Sequence, residues 1–100
     1  MDRIQAMQMF MRVAEAGSFV RAAETLSLPA STVTSTIKNL EKYLKVRLLN
    51  RTTRRVSLTP EGMQYLAQCR EILALIEHSE STLSESVARP QGRLRVDMPA

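Results

Sequence analysis

Ser31, Ser35, Lys38 and Lys42 recur at spacings of four, three and four in a chain of 100 residues. At roughly 100° per residue, a helix would place them within about 60° of one another. Short hydroxyls toward one end and long cations toward the other suit a helix laid in a groove of a polyanion. Small side chains permit close approach, and lysines reach outward to phosphates. Thr34 and Asn39 flank the row. An ordinary solvated face would more often mix glutamate with lysine.

The charge distribution singles out the same region. Residues 30–58 hold Lys38, Lys42, Lys45, Arg47, Arg51, Arg54 and Arg55 against Glu41 alone, a local surplus larger than the net +4 of the whole chain. Residues 59–88 set Arg70 against Glu61, Glu71, Glu77, Glu80 and Glu85. A basic block followed by an acidic one points to a polyanion partner for the first and a protein-facing role for the second.

Catalysis would need titratable groups converging on a pocket. His78 and Cys69 are the single histidine and cysteine, and the acids are strung along one stretch, so no enzyme, metal or cofactor is expected. Cys69 reads as a small apolar residue, and Met7, Met9, Met11 and Met63 as core filler. One cysteine makes no internal disulfide, which suits a reducing cytoplasm. No apolar run approaches the roughly 18 residues of a membrane span. The first 17 residues carry Arg12 and Glu15 within their apolar pattern and do not read as a signal peptide. A cytoplasmic protein with no membrane partner is the expectation.

The elements that position the row follow from local signals. Asp2 caps a helix to about Ala16, with Ile4, Met7, Met11 and Ala14 on one face, widened by Phe10 and Val13. Gly17 suits the left-handed residue after a helix end. Ser18 caps a second helix carrying Phe19, Ala22, Ala23 and Leu26 on one side, and Ser27-Leu28-Pro29 breaks it. Pro29 is placed to open a third helix at its first turn. That helix runs to about Leu44, with Val33, Ile37, Leu40 and Leu44 as its seam and Glu41 at the seam's edge. The period then drops to two: residues 49–51 and 55–58 read as short strands joined by Thr52-Thr53-Arg54, with Val56 and Leu58 inward and Arg55 and Ser57 outward. Three helices and a basic two-stranded wing make a mainly α fold, the winged helix-turn-helix, over residues 1–59, with the helix-turn-helix at about 18–37.

Thr59-Pro60-Glu61 opens a fourth helix over residues 60–89, unbroken until Pro90 and Gly92. Leu66, Cys69, Leu73, Ile76, Leu83 and Val87 follow a seven-residue repeat interrupted by Glu80. A domain this small cannot cover so long a helix, and the simplest partner for the seam is a second copy, giving a homodimer.

Four blocks in this order carry a family resemblance: M-x-x-F-x-x-V-A-E-A-G-S-F at 7–19, A-A-E-x-L at 22–26, I-x-x-L-E-x-x-L at 37–44 and L-L-N-R-T-T-R-R-V-S-L-T-P-E-G at 48–62. From Met1 to Glu85 the chain resembles the N-terminal domain of LysR-type bacterial transcriptional regulators. The resemblance implies a transcription factor that binds interrupted inverted repeats of double-stranded DNA as a dimer through the linker helix, tetrameric when full length. It places the third helix in the major groove and the wing at the neighbouring minor groove. Carried over by position, Ala30, Ser31, Thr34 and Ser35 face the bases, Lys38 meets the backbone, and Arg51, Arg54 and Arg55 serve the wing. Many members have Ser-Arg-Gln where this chain has Thr34-Ser35-Thr36, and Gln-Pro where it has Ala30-Ser31. G-R-L-R-V at 92–96 looks like the first strand of that family's effector-binding domain, so residues 90–100 read as a stub and no small-molecule effector is assigned to this fragment.

The rival reading is a winged helix used only for protein–protein contact, which would carry a neutral or mixed face on its third helix. Single-stranded nucleic acid is disfavoured, because Phe10, Phe19, Tyr43 and Tyr65 form no exposed stacking platform.

Overall fold

The computed structural model describes residues 2–52 and 55–88, with backbone alone for 87 and 88. Arg54 of the wing, the side chain of Val87 and the 90–100 stub lie outside the described residues. The order is α1 (Arg3–Ala16), α2 (Phe19–Leu26), α3 (Ala30–Leu44), β1 (Leu49–Arg51), β2 (Val56–Leu58) and α4 (Pro60–Ala88). The winged helix-turn-helix with a long following helix is the fold expected.

Local chemistry sets the element boundaries. Asp2 accepts the Gln5 N–H at 3.1 Å and Ser18 Oγ accepts the Arg21 N–H at 3.2 Å, each satisfying a donor that a helix start leaves free. Gly17 closes α1 at φ 69°, its N–H donating to the Val13 carbonyl at 2.8 Å. Ser27 and Lys45 take the same left-handed conformation after α2 and α3, at φ 56° and 59°. Each turn is held by a following N–H, Leu28 to the Ala23 carbonyl at 3.0 Å and Val46 to the Glu41 carbonyl at 3.1 Å. Pro29 stands just outside α3 as its N-cap, not inside its first turn as expected. Its carbonyl accepts the Thr32 and Val33 N–H groups, so the proline still launches the helix.

α1 packs against α2, α3 and α4, and α2 packs against α3. The core holds Ala6, Met7, Phe10 and Val13 of α1, Ala22 and Ala23 of α2, Val33, Ile37 and Leu40 of α3, Leu48 and Leu49 of the wing, and Leu66 and Cys69 of α4. The α1 stripe differs from the expected one. With three helices around it, α1 centres its buried face on Phe10, while Ile4 is exposed and lines a groove between α1 and α4 with Met11, Leu73 and Ile76. Met63 is not core filler either; it is 62% exposed, because α4 turns Gly62, Leu66 and Cys69 inward.

β1 and β2 pair antiparallel, with Leu49 opposite Leu58 and Arg51 opposite Val56. Thr52 closes the tip: its N–H donates to the Arg55 carbonyl at 3.0 Å, and its Oγ1 accepts the Arg55 N–H at 3.0 Å. Thr59 then ties the wing to α4. Its hydroxyl donates to the Arg47 carbonyl at 2.6 Å and accepts the Gly62 N–H at 2.9 Å, an N-cap and a cross-link in one side chain. Among the described residues no helix is long and apolar enough to cross a membrane.

Candidate nucleic-acid interface

The seam of α3 decides what its other side presents. Val33, Ile37 and Leu40 are buried, which turns Ser31, Ser35, Lys38, Asn39 and Lys42 to solvent. Ala30 and Thr34 are half-buried at the edge of this face, Ala30 packed against the core. Lys38 and Lys42 continue into a groove of about 480 Å³ between the C-terminal half of α3 and the start of the wing. Lys45, Arg47 and Arg51 line it with them. Lys45 and Arg47 belong to the basic block, but periodicity gives no reason to place them beside α3. That juxtaposition comes from the turn at Lys45.

The wing arginines divide. Arg55 is exposed beside the tip. Arg51 points inward, its Nη2 2.9 Å from Oε1 of Glu41, with its side chain 22% exposed. Glu41 is buried, and its Oε2 accepts the N–H groups of Leu48 at 2.8 Å and Leu49 at 3.2 Å. Burial pushes the Glu41 carboxyl up, but the Leu48 N–H, the Arg51 guanidinium and the Leu49 N–H together bring it below its ordinary value. The Arg51 guanidinium also stands 5.4 Å from the ring centroid of Phe19, on α2. Helical spacing puts Glu41 at the edge of the seam and gives Phe19 no role beyond packing. The available signal is a lone carboxylate on the inner side of a helix in an otherwise basic segment.

The expected dimer seam on α4 also divides. Leu66 and Cys69 are buried in the protomer's own core and offer nothing to a partner, a correction to the expectation. Leu73 and Ile76 are half-buried along the α1 groove. Leu83 is 67% exposed, and so, at 65%, is Leu75, which the seven-residue repeat does not include. The repeat marks an apolar side of α4 but cannot say which part of it the winged domain covers.

Burial pushes the Cys69 thiol up, and burial together with neighbouring Cys69 pushes Tyr65 up to about 12. Tyr65 packs on Phe10 with ring centroids 5.6 Å apart, and Tyr43 accepts a hydrogen bond from Arg3 at 3.1 Å. His78 is exposed on α4. Among the described residues no three histidine, cysteine or acidic side chains gather as a metal site.

Residues 4–63 match the model of a family described as bacterial regulatory helix-turn-helix protein, lysR family. The chain is 50% identical over 97 residues to an HTH-type transcriptional repressor of Pseudomonas aeruginosa (strain UCBPP-PA14), covering 97% of this chain and 31% of that protein. It is 45% identical over 93 residues to the HTH-type transcriptional regulator CrgA of Neisseria meningitidis serogroup C (strain 8013), covering 93% of this chain and 31% of the relative. The chain thus spans about a third of the length of these curated relatives. Among solved structures, the BenM DNA-binding domain in complex with catB site 1 DNA is similar at TM-score 0.82 and 28% identity, over 84% of this chain and 93% of that one. The DNA complex of the CbnR DNA-binding domain is similar at TM-score 0.80 and 35% identity, over 86% and 98%.

Proposed function

Because the chain belongs to the lysR family of bacterial regulatory helix-turn-helix proteins, we propose that it binds double-stranded DNA sequence-specifically as the DNA-binding part of a transcriptional regulator. The observation that carries this reading is the uninterrupted exposed face of Ser31, Ser35, Lys38 and Lys42, continuing into the groove with Lys45 and Arg47. A neutral or mixed face would have favoured a protein–protein module. α3 enters the major groove, wide enough for a helix, with Ala30, Ser31, Thr34 and Ser35 toward the base edges and Lys38 on the backbone. The wing, with Arg54 and Arg55, lies toward the adjacent minor groove.

The chain acts as a homodimer through α4. Ile72, Leu75 and Leu83 are exposed and fall within about 80° of one another on the helix, beside the core-facing line. Burying such residues against a second helix stabilises the pair by about 1.5–3 kcal/mol each. A twofold axis between two α3 helices matches an interrupted inverted repeat with both half-sites on one side of the duplex. The full-length protein assembles further, to a tetramer, and works in the cytoplasm.

A mobility-shift titration on duplex DNA at several salt concentrations tests this. With about four cations per protomer on phosphates, a dimer gives a slope of log K against log salt of about −7. No binding at low salt, or a slope near zero, overturns the reading.

A further inference from the structure

Three elements converge on the Arg51 side chain. It leaves the last residue of β1, meets Oε1 of Glu41 on α3 at 2.9 Å, and lies over Phe19 of α2 at 5.4 Å from the ring centroid. Its Nε is buried and has no hydrogen-bond partner among the described residues. Glu41 uses its second oxygen on the Leu48 and Leu49 N–H groups, so one carboxylate fastens both ends of β1 to α3. The strand so held runs directly into the tip, where Thr52 is bonded to Arg55.

A guanidinium in this position is a poor phosphate ligand. Swinging it out to DNA would leave the buried Glu41 carboxylate without its countercharge and uncover the Phe19 ring. The lysines of the same groove are under no such constraint. Lys38, Lys42 and Lys45 are exposed, as is Arg47, and none of them forms an ion pair among the described residues. Arg51 was expected to contact DNA from the wing; its geometry suits a different task.

We infer that Arg51 is the positioning residue of the wing: through Glu41 and Phe19 it sets where the β1–β2 hairpin stands relative to α3, and it neutralises no phosphate. The inference rests on the DNA-binding reading and refines it. To DNA, Glu41 and Arg51 are one neutral unit. The salt-dependent part of binding belongs to the free cations, and the reach of the wing belongs to Arg51. Arg51→Gln removes a cation, yet it should not remove a released counterion. It should instead loosen the hairpin and blur the protein's hold on the flanks of the site.

The test uses the full chain and duplexes that the wild type selects from a random pool, with affinity measured over a salt series and hydroxyl-radical footprints taken at saturation. Lys38→Ala should make the slope shallower by about 0.9 for each phosphate no longer neutralised. Arg51→Gln should leave the slope at the wild-type value and weaken binding about tenfold at every salt, the order of a single specific interaction. It should also lose protection at the flanks while keeping it at the centre. Arg51→Lys guards against misfolding of the first variant. It retains the charge but cannot present a planar guanidinium to Glu41 and Phe19 together, so it should show the same weakening of the flanks at unchanged slope. The inference is overturned if Arg51→Gln flattens the slope as Lys38→Ala does, or if Arg51→Lys binds and footprints like the wild type. It is equally overturned if both variants lose stability with affinity and footprint intact. Wild-type chain that fails to bind at low salt overturns instead the DNA-binding reading beneath it.

Discussion

The carbonyl oxygen of Leu48 sits so close to Gly62 that a Cβ added to the glycine would overlap it. The same carbonyl accepts the Thr59 N–H at 3.0 Å, so the first turn of α4 is laid directly on the backbone entering β1. Glycine at position 62 is required by this close approach; it is not one of the positive-φ residues. The packing matters because it fixes the direction in which α4 leaves the winged domain.

Gly62→Ala should therefore destabilise the protein, although alanine is the better helix former by about 1 kcal/mol. The obstacle is backbone, which cannot rotate away, and overpacking of this kind costs about 1–3 kcal/mol or more. Urea denaturation should show a lower midpoint. A midpoint raised above wild type would mean that α4 can shift without loss.

Glu41→Gln should cost about 1–3 kcal/mol at neutral pH. That is less than the loss of a fully buried ion pair, because the Arg51 side chain is 22% exposed. The sign of the pH dependence follows from the lowered folded value. The stability contributed by the Glu41 charge is fully present above its ordinary value of 4.5 and is lost as pH falls through the lower folded value. Unfolding free energies of wild type and variant, measured over a pH series, should differ by a constant above pH 4.5 and converge below the lower folded value. A gap that persists unchanged into acid would assign the loss to packing alone.

Ser35→Ala should shift base preference at particular positions of a selected-site profile, by about 1–3 kcal/mol where the hydroxyl meets a base edge. Lys42→Ala should weaken binding to all sequences alike, since phosphates carry no sequence information directly. A Ser35→Ala profile identical to wild type would move the base-reading face elsewhere on α3.

Replacing Leu75 and Leu83 together by Asp should yield monomers that remain folded, because these side chains are 65% and 67% exposed within the protomer. Exposed substitutions of this kind change folding stability by about 0.5 kcal/mol or less. Leu66→Asp, in contrast, puts a charge into the protomer's core and should unfold it. Sedimentation equilibrium and circular dichroism on the two variants separate the outcomes. A Leu75→Asp/Leu83→Asp chain that stays dimeric would place the interface on another surface.

Whatever is set within a turn or two of helix is legible along the chain. Asp2, Gly17 and Ser18 end and begin helices through bonds to residues three or four positions away. The seam of Val33, Ile37 and Leu40 fixes which side of α3 faces solvent, so Ser31, Ser35, Lys38 and Lys42 can be read from spacing alone. Tertiary packing settles what depends on the chain coming back on itself. Arg51 and Arg55 look alike in a row of cations, yet one turns to Glu41 and Phe19 and the other to water, because only one of them lies over a buried carboxylate. Along α4 the apolar period is the same for Leu66 and Cys69 as for Leu83. Only the docking of the first turn against Leu48 and the wing decides that the former two enter the protomer's own core while Leu75 and Leu83 stay outside. Periodicity gives the phase of a helix face, and burial of that face is settled by where the helix is anchored in space.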